Sequence, residues 1–467
     1  MRKYLPMLPD PRGFARRETL ALLGAGAGGL LLSGLVPRGA AVAQAPARGR
    51  KFVFAYFEGG WDLLLGLDPR DPAATNPAQH QIDPGYDQLD GAFRGRGVQK
   101  RGALAFGPAV PPALLAHAQD LSIVNGITMD TAAHEVGRRY FITGRFPRGL
   151  AAVGSSTPAE IVAQLGEAAP IAHLSARVEA YATGLPPYAS ALSVNGLGDL
   201  MVALKPIAQL DPNVRAAVEA FQDGSPGCEG TRMDRDGLAA AMGRSVTKSR
   251  EYLKAQLGSL FDVARTDPEM SALRTLYGIA GPDPAAPEVL ALVAGQALKN
   301  DVCQCVSVGL ARDLDTHANW AQDQAPRQER GWNALGALIS DLKNTRSKRD
   351  PARSVFEETT ILAWSEFGRT PLFNTIRGRD HFLGNSALVA GAGLRRGVTV
   401  GRSAAVGMMP VETDLATGQG IDSPTDAERA SGVEMLTPRH VLATLLASAG
   451  LDHTYLRAPP IKALLPG

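Results

Sequence analysis

The chain has 467 residues, of which 45% are hydrophobic and 20% charged, and its formal net charge is +2. This is the composition of a folded protein with a large core, and it excludes wholesale disorder. It also argues against a nucleic-acid-binding protein, which would normally carry a clustered basic face.

The first 45 residues have the pattern of a secretory leader. Paired Arg16-Arg17 precede an uncharged stretch at 20–36, and the tripeptide AQA at 43–45 matches an A-x-A cleavage site. This order resembles a twin-arginine export signal. The uncharged stretch is short for a membrane span and contains five glycines, so no stable membrane anchor is expected. We expect the twin-arginine translocase to deliver a mature domain, residues 46–467, to the periplasm or the exterior.

Removal of the leader changes the charge of the protein. The leader carries six Lys or Arg residues and two acidic residues, so the mature chain has a formal charge of about −2. A mature protein that is not basic gives further reason to expect no nucleic-acid partner.

Apolar segments rich in β-branched and aromatic residues are predicted as buried strands. Helical patterns lie between them, which indicates an α/β fold with a mostly parallel central sheet flanked by helices. Ligands of such sheets bind beyond the carboxyl ends of the strands. In chain order, the predicted strands are Phe52–Phe57, Leu121–Ile127, Cys303–Leu310, Thr359–Trp364 and Ala387–Ala390.

Helices are predicted where capping residues and apolar periodicity coincide. A mostly helical insertion is expected at about 206–300, and residues 68–112, rich in Pro, Gly, Asp and Arg, are expected to form a surface loop. The other predicted helices run from His134 through Phe141, from Ser156 onward, over Gln328–Lys343, and from Thr437 through Ala449.

The cysteines leave two alternatives open. Cys228, Cys303 and Cys305 are an odd number for an oxidising compartment, so one disulfide and three unpaired or buried thiols are both compatible with the sequence. Cys303 and Cys305 should share one face of their predicted strand.

Each of the first four predicted strands is followed by residues suited to catalysis or metal binding. Carboxylates and neutral imidazoles together bind Zn²⁺ or Mn²⁺, and oxygen-rich sites also suit Mg²⁺ or Ca²⁺. One or two such ions would bind a phosphate or sulfate ester and acidify a nucleophile. The groups are Asp62; Asp130, Thr131 and His134; Asp313, Asp315 and His317; and Glu366 with Asp380 and His381.

Five motifs follow one another along the mature chain: FEGGWD (57–62), ITGRFP (142–147), DTHAN (315–319), SEFGRTP (365–371) and GRDH (378–381). In this order they resemble the DUF1501 family of exported bacterial proteins, within the alkaline phosphatase/sulfatase superfamily. The resemblance extends from residue 51 to about 450 and implies an alkaline phosphatase-like fold.

The resemblance also implies metal ligands. Asp62 stands where the superfamily's first strand supplies a metal-binding aspartate, and His381 resembles its last metal histidine. In the sequence DLDTH, Asp313 has the superfamily's four-residue offset to His317, whereas Asp315 belongs to the DUF1501-like motif and is preferred. The full implied set of metal ligands is Asp62, Asp315, His317, Glu366, Asp380 and His381.

Two segments depart from the superfamily pattern. Glu366 replaces the aspartate of a Ser-Asp-His-Gly turn, and Phe367 stands where a histidine ligand is expected. Ala133-His134 occupies the position of the usual Ser, Thr or Cys nucleophile. The attacking group is therefore predicted to be Thr131, metal-bound water, or His134 itself through a phosphohistidine.

The predicted function is an exported metal-dependent hydrolase of phosphate or sulfate esters, acting on a small-molecule or glycan-linked anionic ester. Arg369 and Arg379 are candidates for holding the ester, because guanidinium groups match phosphate oxygens. The alternative is a non-catalytic exported protein on the same fold that binds a partner or an anionic glycan. In a purely structural interpretation, Glu366 pairs with Arg369 and Asp380 joins a surface charge cluster.

Overall fold

The computed structural model describes residues 49–166, 169–204 and 257–466. The predicted leader at 1–45, Cys228 and about half of the predicted insertion at 206–300 lie outside the described residues. Among the helices that are described, none is long and apolar enough to cross a membrane.

The strands and helices of the described residues alternate along most of the chain. The strands are β1 (Lys51–Phe57), β2 (Gln99–Arg101), β3 (Leu104–Phe106), β4 (Leu121–Thr128), β5 (Ile171–Ala176), β6 (Leu192–Val194), β7 (Cys303–Ala311), β8 (Thr359–Trp364), β9 (Gly368–Arg369), β10 (His381–Phe382), β11 (Gly384–Gly391), β12 (Thr399–Val400), β13 (Glu412–Asp414), β14 (Gly420–Ile421) and β15 (Val433–Glu434). The α-helices are Pro77–His80, Gly91–Arg94, Pro112–Leu115, His134–Thr143, Thr157–Leu165, Leu197–Ala203, Gly258–Phe261, Pro268–Tyr277, Pro287–Lys299, Trp320–Asn344, Asp426–Ala430 and Pro438–Ala447.

A central sheet organises the described part of the chain. Its eight strands lie in the order β12-β4-β11-β8-β1-β7-β5-β6. β11 is antiparallel to its neighbours β4 and β8, and the other neighbouring strands pair in parallel. The predicted mostly parallel sheet is therefore confirmed.

Helices cover both faces of the sheet. Along β1, Val53, Ala55 and Phe57 pack into one core, and the alternate residues face a second core, as the two-residue period of a strand requires. The helices Pro287–Lys299 and Trp320–Asn344 fill the first core. The second core is filled by the helices His134–Thr143, Thr157–Leu165 and Pro438–Ala447.

Two differences from the sequence-based prediction have physical reasons. The helix predicted from Gln328 begins at Trp320 and contains Pro326; a proline there costs one hydrogen bond, which the buried face of this long helix offsets. β5 was not predicted because polar residues interrupt its apolar pattern. One of them, His173, is buried and bonded to Ser307 Oγ at 3.0 Å, and burial lowers its pKa to about 3.

The thiols of β7 are structural. Cys303 and Cys305 are free and buried, and burial raises the pKa of both. Their environment fits the alternative of buried, unreactive thiols.

Gly331 sets how closely the helix Trp320–Asn344 approaches the sheet. A Cβ atom at this position would lie 2.6 Å from Cε1 of Phe57 and 2.8 Å from the carbonyl oxygen of Leu310. At the helical residue Gly198, by contrast, an added Cβ would meet nothing within 4 Å.

We expect these two glycines to respond to alanine with opposite signs. Gly331→Ala should lower the free energy of unfolding by about 1–3 kcal/mol through overpacking. Gly198→Ala should raise it by up to about 1 kcal/mol, because alanine favours the helix. Urea denaturation measures both, and a stabilising Gly331→Ala would contradict the close packing described here.

Candidate metal centre

The residues at the carboxyl rim of the sheet come from widely separated segments. Asp315 and His317 follow β7, Glu366 follows β8, and His134 begins the helix after β4. His381 comes just before β11. Because β11 is antiparallel, its amino end lies at the rim where the neighbouring strands end, and this brings His381 to the site.

Three histidines surround one carboxylate oxygen. The distances to Asp315 Oδ1 are 3.1 Å from His317 Nε2, 3.1 Å from His381 Nε2 and 3.4 Å from His134 Nε2. His317 Nε2 and His381 Nε2 are 3.0 Å apart. The ligand atoms of His134, Asp315 and His381 all lie within 4.8 Å of one another. We call His134, Asp315, His317 and His381 the histidine cluster.

The opposite nitrogen of each ring is held by a hydrogen-bond acceptor. A carboxylate or carbonyl oxygen can only accept a hydrogen bond. When such an oxygen contacts Nδ1 of a neutral imidazole, the ring's proton is on Nδ1 and Nε2 carries a lone pair. The Nδ1 contacts are His134 to Glu366 Oε1 at 2.8 Å, His317 to Asp380 Oδ1 at 2.7 Å and His381 to Ala132 O at 2.6 Å.

This arrangement fits a divalent cation. Lone pairs that face each other and a carboxylate at such distances repel unless a positive charge lies between them. Tetrahedral Zn²⁺ with bonds of 2.0–2.1 Å separates its nitrogen ligands by about 3.3 Å, close to the distances in the histidine cluster. Burial lowers the pKa of His381, which works against a protonated ring as the alternative.

The charges around the cluster shift the pKa values of its members in different directions. Burial opposes ionisation of Asp315, but the hydrogen bond and the charge of Arg369 act against it, and the pKa of Asp315 is lowered to about 2. Burial alone would lower the pKa of His134, whereas its hydrogen bond to Glu366 and the charges of Glu366 and Asp315 raise it. Glu366 is fully buried and also accepts the Gly59 N–H at 2.8 Å. Glu366 therefore orients His134 from outside the ligand set.

Arg369 has a positioning role in this structure. Its side chain is fully buried; Nη2 donates to Asp315 Oδ1 at 2.6 Å and to Gly59 O, and Nε donates to Gly60 O at 3.0 Å. Strand pairing of Arg369 with His381 places both beside Asp315. The guanidinium holds the Gly-Gly turn and Asp315, so the structure does not present it to an ester as predicted.

Asp62 and Arg379 are not brought to the histidine cluster. Asp62 Oδ2 lies 2.9 Å from Arg379 Nε and accepts the Trp320 indole N–H at 2.7 Å. Both charged side chains are buried, and Arg379 stacks on Phe373 with its guanidinium carbon 4.1 Å from the ring centre. The Asp62 carboxylate thus has a guanidinium partner where the family resemblance implied a metal ion.

The remaining candidates lie at the margin of the site. The Thr131 hydroxyl accepts the Ala133 N–H at 3.2 Å at the start of the helix His134–Thr143. Asp380 contributes by holding His317. Asp313 is exposed, with a φ of 59°, so the preference for Asp315 from the family motif agrees with the geometry.

Phe367, where the family resemblance implied a histidine ligand, packs its ring against the histidine rings of the cluster. Its ring centre lies 4.8 Å from that of His134 and 4.5 Å from that of His381. Gly60 has a φ of 79°, and a Cβ there would lie 2.6 Å from the Phe367 ring.

The carbonyl of Ala132 was missed by sequence reasoning, because a backbone group that orients a ligand leaves no signal in residue type.

Comparison with known proteins gives the family. The model for a family described as "Protein of unknown function (DUF1501)" matches residues 50–419, which contain all five sequence motifs. No curated protein matches the chain.

Similar solved structures include a protein of the alkaline phosphatase superfamily from Vibrio parahaemolyticus, with 11% identity and a TM-score of 0.36, over 86% of this chain and 67% of that one. The lipoteichoic acid synthase LtaP from Listeria monocytogenes has 9% identity and a TM-score of 0.33, over 84% and 75%. A mutant TAB5 alkaline phosphatase with bound Mg has 10% identity and a TM-score of 0.30, over 75% and 93%. Similarities at this level assign no activity to the chain.

Removal of Arg379 should be strongly destabilising. Arg379→Met leaves the Asp62 carboxylate buried without its counter-charge, and we expect a loss of about 3–5 kcal/mol in the free energy of unfolding. Arg330→Met is the matched control, because Arg330 forms an ion pair with Glu288 at 2.7 Å while half exposed; its loss should be below about 1 kcal/mol. Equal losses in urea denaturation would contradict a structural role for the Asp62–Arg379 pair.

Proposed function

The chain belongs to the DUF1501 family, and from that premise we propose that it is an exported metal-dependent hydrolase of phosphate or sulfate esters. The observation that carries the proposal is the convergence of three Nε2 lone pairs on Asp315 Oδ1. Four ligand groups would hold one ion, with Zn²⁺ favoured by the nitrogen-rich set, and Zn²⁺ can expand to five-coordination to accept a water or an ester oxygen. The resemblance implied ligands of a second ion at positions 367 and 62. Position 367 is a phenylalanine, and Asp62 is paired with Arg379.

A divalent ion in this cluster would neutralise ester oxygens and lower the pKa of a water molecule. The chain's own residues prepare the site for it. Glu366, Asp380 and the Ala132 carbonyl hold the three rings in place with Nε2 of each ring facing Asp315. Arg369 keeps Asp315 ionised, since the lowered pKa of this carboxyl lies far below neutral pH.

Arg138 is the guanidinium that we assign to the ester. It lies one helical turn after His134, on the same face of the helix. Its contacts with Glu58, Glu179 and Glu135 are 3.5, 3.6 and 4.0 Å long, longer than direct charged hydrogen bonds. Donors of Arg138 therefore remain available to an anion, in contrast to those of Arg369 and Arg379.

Water is the nucleophile that the contacts favour. His134 Nε2 lies 3.4 Å from Asp315 Oδ1 and makes no hydrogen bond to the described residues, but as a ligand of the ion its lone pair would not be available to attack the ester. Thr131 caps the loop before the helix, and no contact in the described chain connects its hydroxyl to the cluster.

A non-catalytic metal-binding protein is the second candidate. Phe367 and Ala133 stand where the superfamily pattern has a histidine ligand and a nucleophile. Their replacement favours a protein that keeps the metal for stability or partner binding.

Substitution of the ligands should separate these candidates. We expect purified mature protein to bind Zn²⁺ or Mn²⁺ and to hydrolyse at least one of a phosphomonoester, a phosphodiester and a sulfate ester. Asp315→Asn and His381→Gln should reduce metal affinity and kcat/KM by about 100-fold or more, while His80→Gln, on a surface helix, should change neither. Metal content by mass spectrometry and turnover by product release measure the two effects.

Full metal occupancy without turnover on all three ester classes would support the non-catalytic candidate. Retention of metal by Asp315→Asn and His381→Gln would overturn the site itself.

Export is a separate part of the proposal and rests on the leader. We expect an Arg16→Lys, Arg17→Lys double variant to remain in the cytoplasm with its leader uncleaved, because the translocase reads the arginine pair. Cell fractionation and the mass of the mature protein check this; normal export of the double variant would contradict a twin-arginine route.

A further inference from the structure

A cavity of about 470 Å³ lies beyond the carboxyl ends of β5 and β6. Its polar lining residues include Glu58, Arg177, Glu179, Ser193 and Asn195. The volume is within the range of about 300–1,000 Å³ that is typical of small-molecule sites.

Neighbouring residues connect the cavity to the histidine cluster. Glu58 lines the cavity, and the next residue, Gly59, donates its N–H to Glu366, which holds His134. Arg138, on the helix that begins at His134, contacts both Glu58 and Glu179. A substrate with its ester group at the cluster would therefore extend past Arg138 into this cavity.

Hydrogen-bond acceptors and donors both line the cavity. Glu58 and Glu179 bring carboxylates from the side of β1 and of the loop after β5. Arg177, Ser193 and Asn195 bring donors from the ends of β5 and β6, and among the described residues none pairs with the Arg177 guanidinium. The Arg177 backbone has a φ of 60°, and its N–H donates to Val194 O at 2.9 Å, which fixes it between these strand ends.

We propose that this cavity binds the alcohol part of the ester and that this part is a sugar. The inference rests on the proposed function of the neighbouring cluster. A sugar hydroxyl both donates and accepts hydrogen bonds, so vicinal hydroxyls satisfy carboxylates on one side and guanidinium and amide groups on the other. Glu179 pairs with Arg139 at 3.1 Å and the charge of Arg177 acts on Glu58, so two guanidinium groups balance the two carboxylates, which suits a neutral polar group.

The lining also disfavours flat apolar groups. The apolar residues of the cavity are Val178, Ala180 and Val194, and none of the described lining residues is aromatic. A nucleobase or an aryl group would find no stacking partner and would leave the polar groups without hydrogen bonds.

Substrate selectivity tests the proposal. We expect kcat/KM to be higher for the 6-phosphates or 6-sulfates of glucose, galactose and N-acetylglucosamine than for phenyl phosphate or phenyl sulfate. Arg177→Asn, which tolerates the left-handed backbone, and Asn195→Ala should lower kcat/KM for the sugar ester about tenfold or more and leave the phenyl ester within about twofold. Arg402→Asn, in the cavity of about 430 Å³ beside β12, is the matched control and should change neither value.

Binding of the free sugars distinguishes failure of this inference from failure of the proposed function. Saturation-transfer NMR with the three unmodified sugars should detect binding to the wild type and its loss in Arg177→Asn and Asn195→Ala, whether or not any ester is hydrolysed. Absence of sugar binding by the folded wild type, or equal effects of the variants on sugar and phenyl esters, would overturn the inference.

Discussion

Three imidazole rings point their unprotonated nitrogens at one carboxylate oxygen, and the carboxyl rim of the sheet is arranged around this constraint. The rings are held in place by acceptors on their far sides, two carboxylates and one backbone carbonyl. Such acceptors raise the basicity of a ligand and fix its tautomer. Each outer contact therefore supports the central one, and the cluster is preorganised for a cation.

The rim also shows how a buried charge can take the place of a metal ion. Asp62 follows β1 at a position where the family resemblance implied a metal ligand, and its counter-charge is the guanidinium of Arg379. A buried carboxylate must be neutralised by some cation, and a side chain meets that requirement permanently. Together with the Phe367 ring beside the histidines, this arrangement favours a site for one ion rather than two.

The fold could largely be predicted from sequence, and the site in part. Apolar runs such as Thr359–Trp364 determine a buried strand almost by themselves, and that strand has the predicted bounds. Strand ends also indicated His317, Glu366 and His381 as rim residues. The sequence could not show which carboxylate meets which cation, because Asp62, Arg369 and Arg379 acquire their roles from contacts between distant segments. The orienting carbonyl of Ala132 has no side-chain signature at all.

The segment 365–383 leaves β8 and returns to the adjacent strand β11, and between these two anchors it supplies Glu366, Arg369, Asp380 and His381. This one loop thus contains the proposed ligand His381, two residues that orient other proposed ligands, Glu366 and Asp380, and Arg369, which holds the Asp315 carboxylate. Replacement of this single loop would change ion preference and charge balance together, provided that the new loop kept a counter-charge for buried Asp62, which Arg379 supplies. Relatives with different chemistry can thus diverge by exchanging one module while they retain the same scaffold.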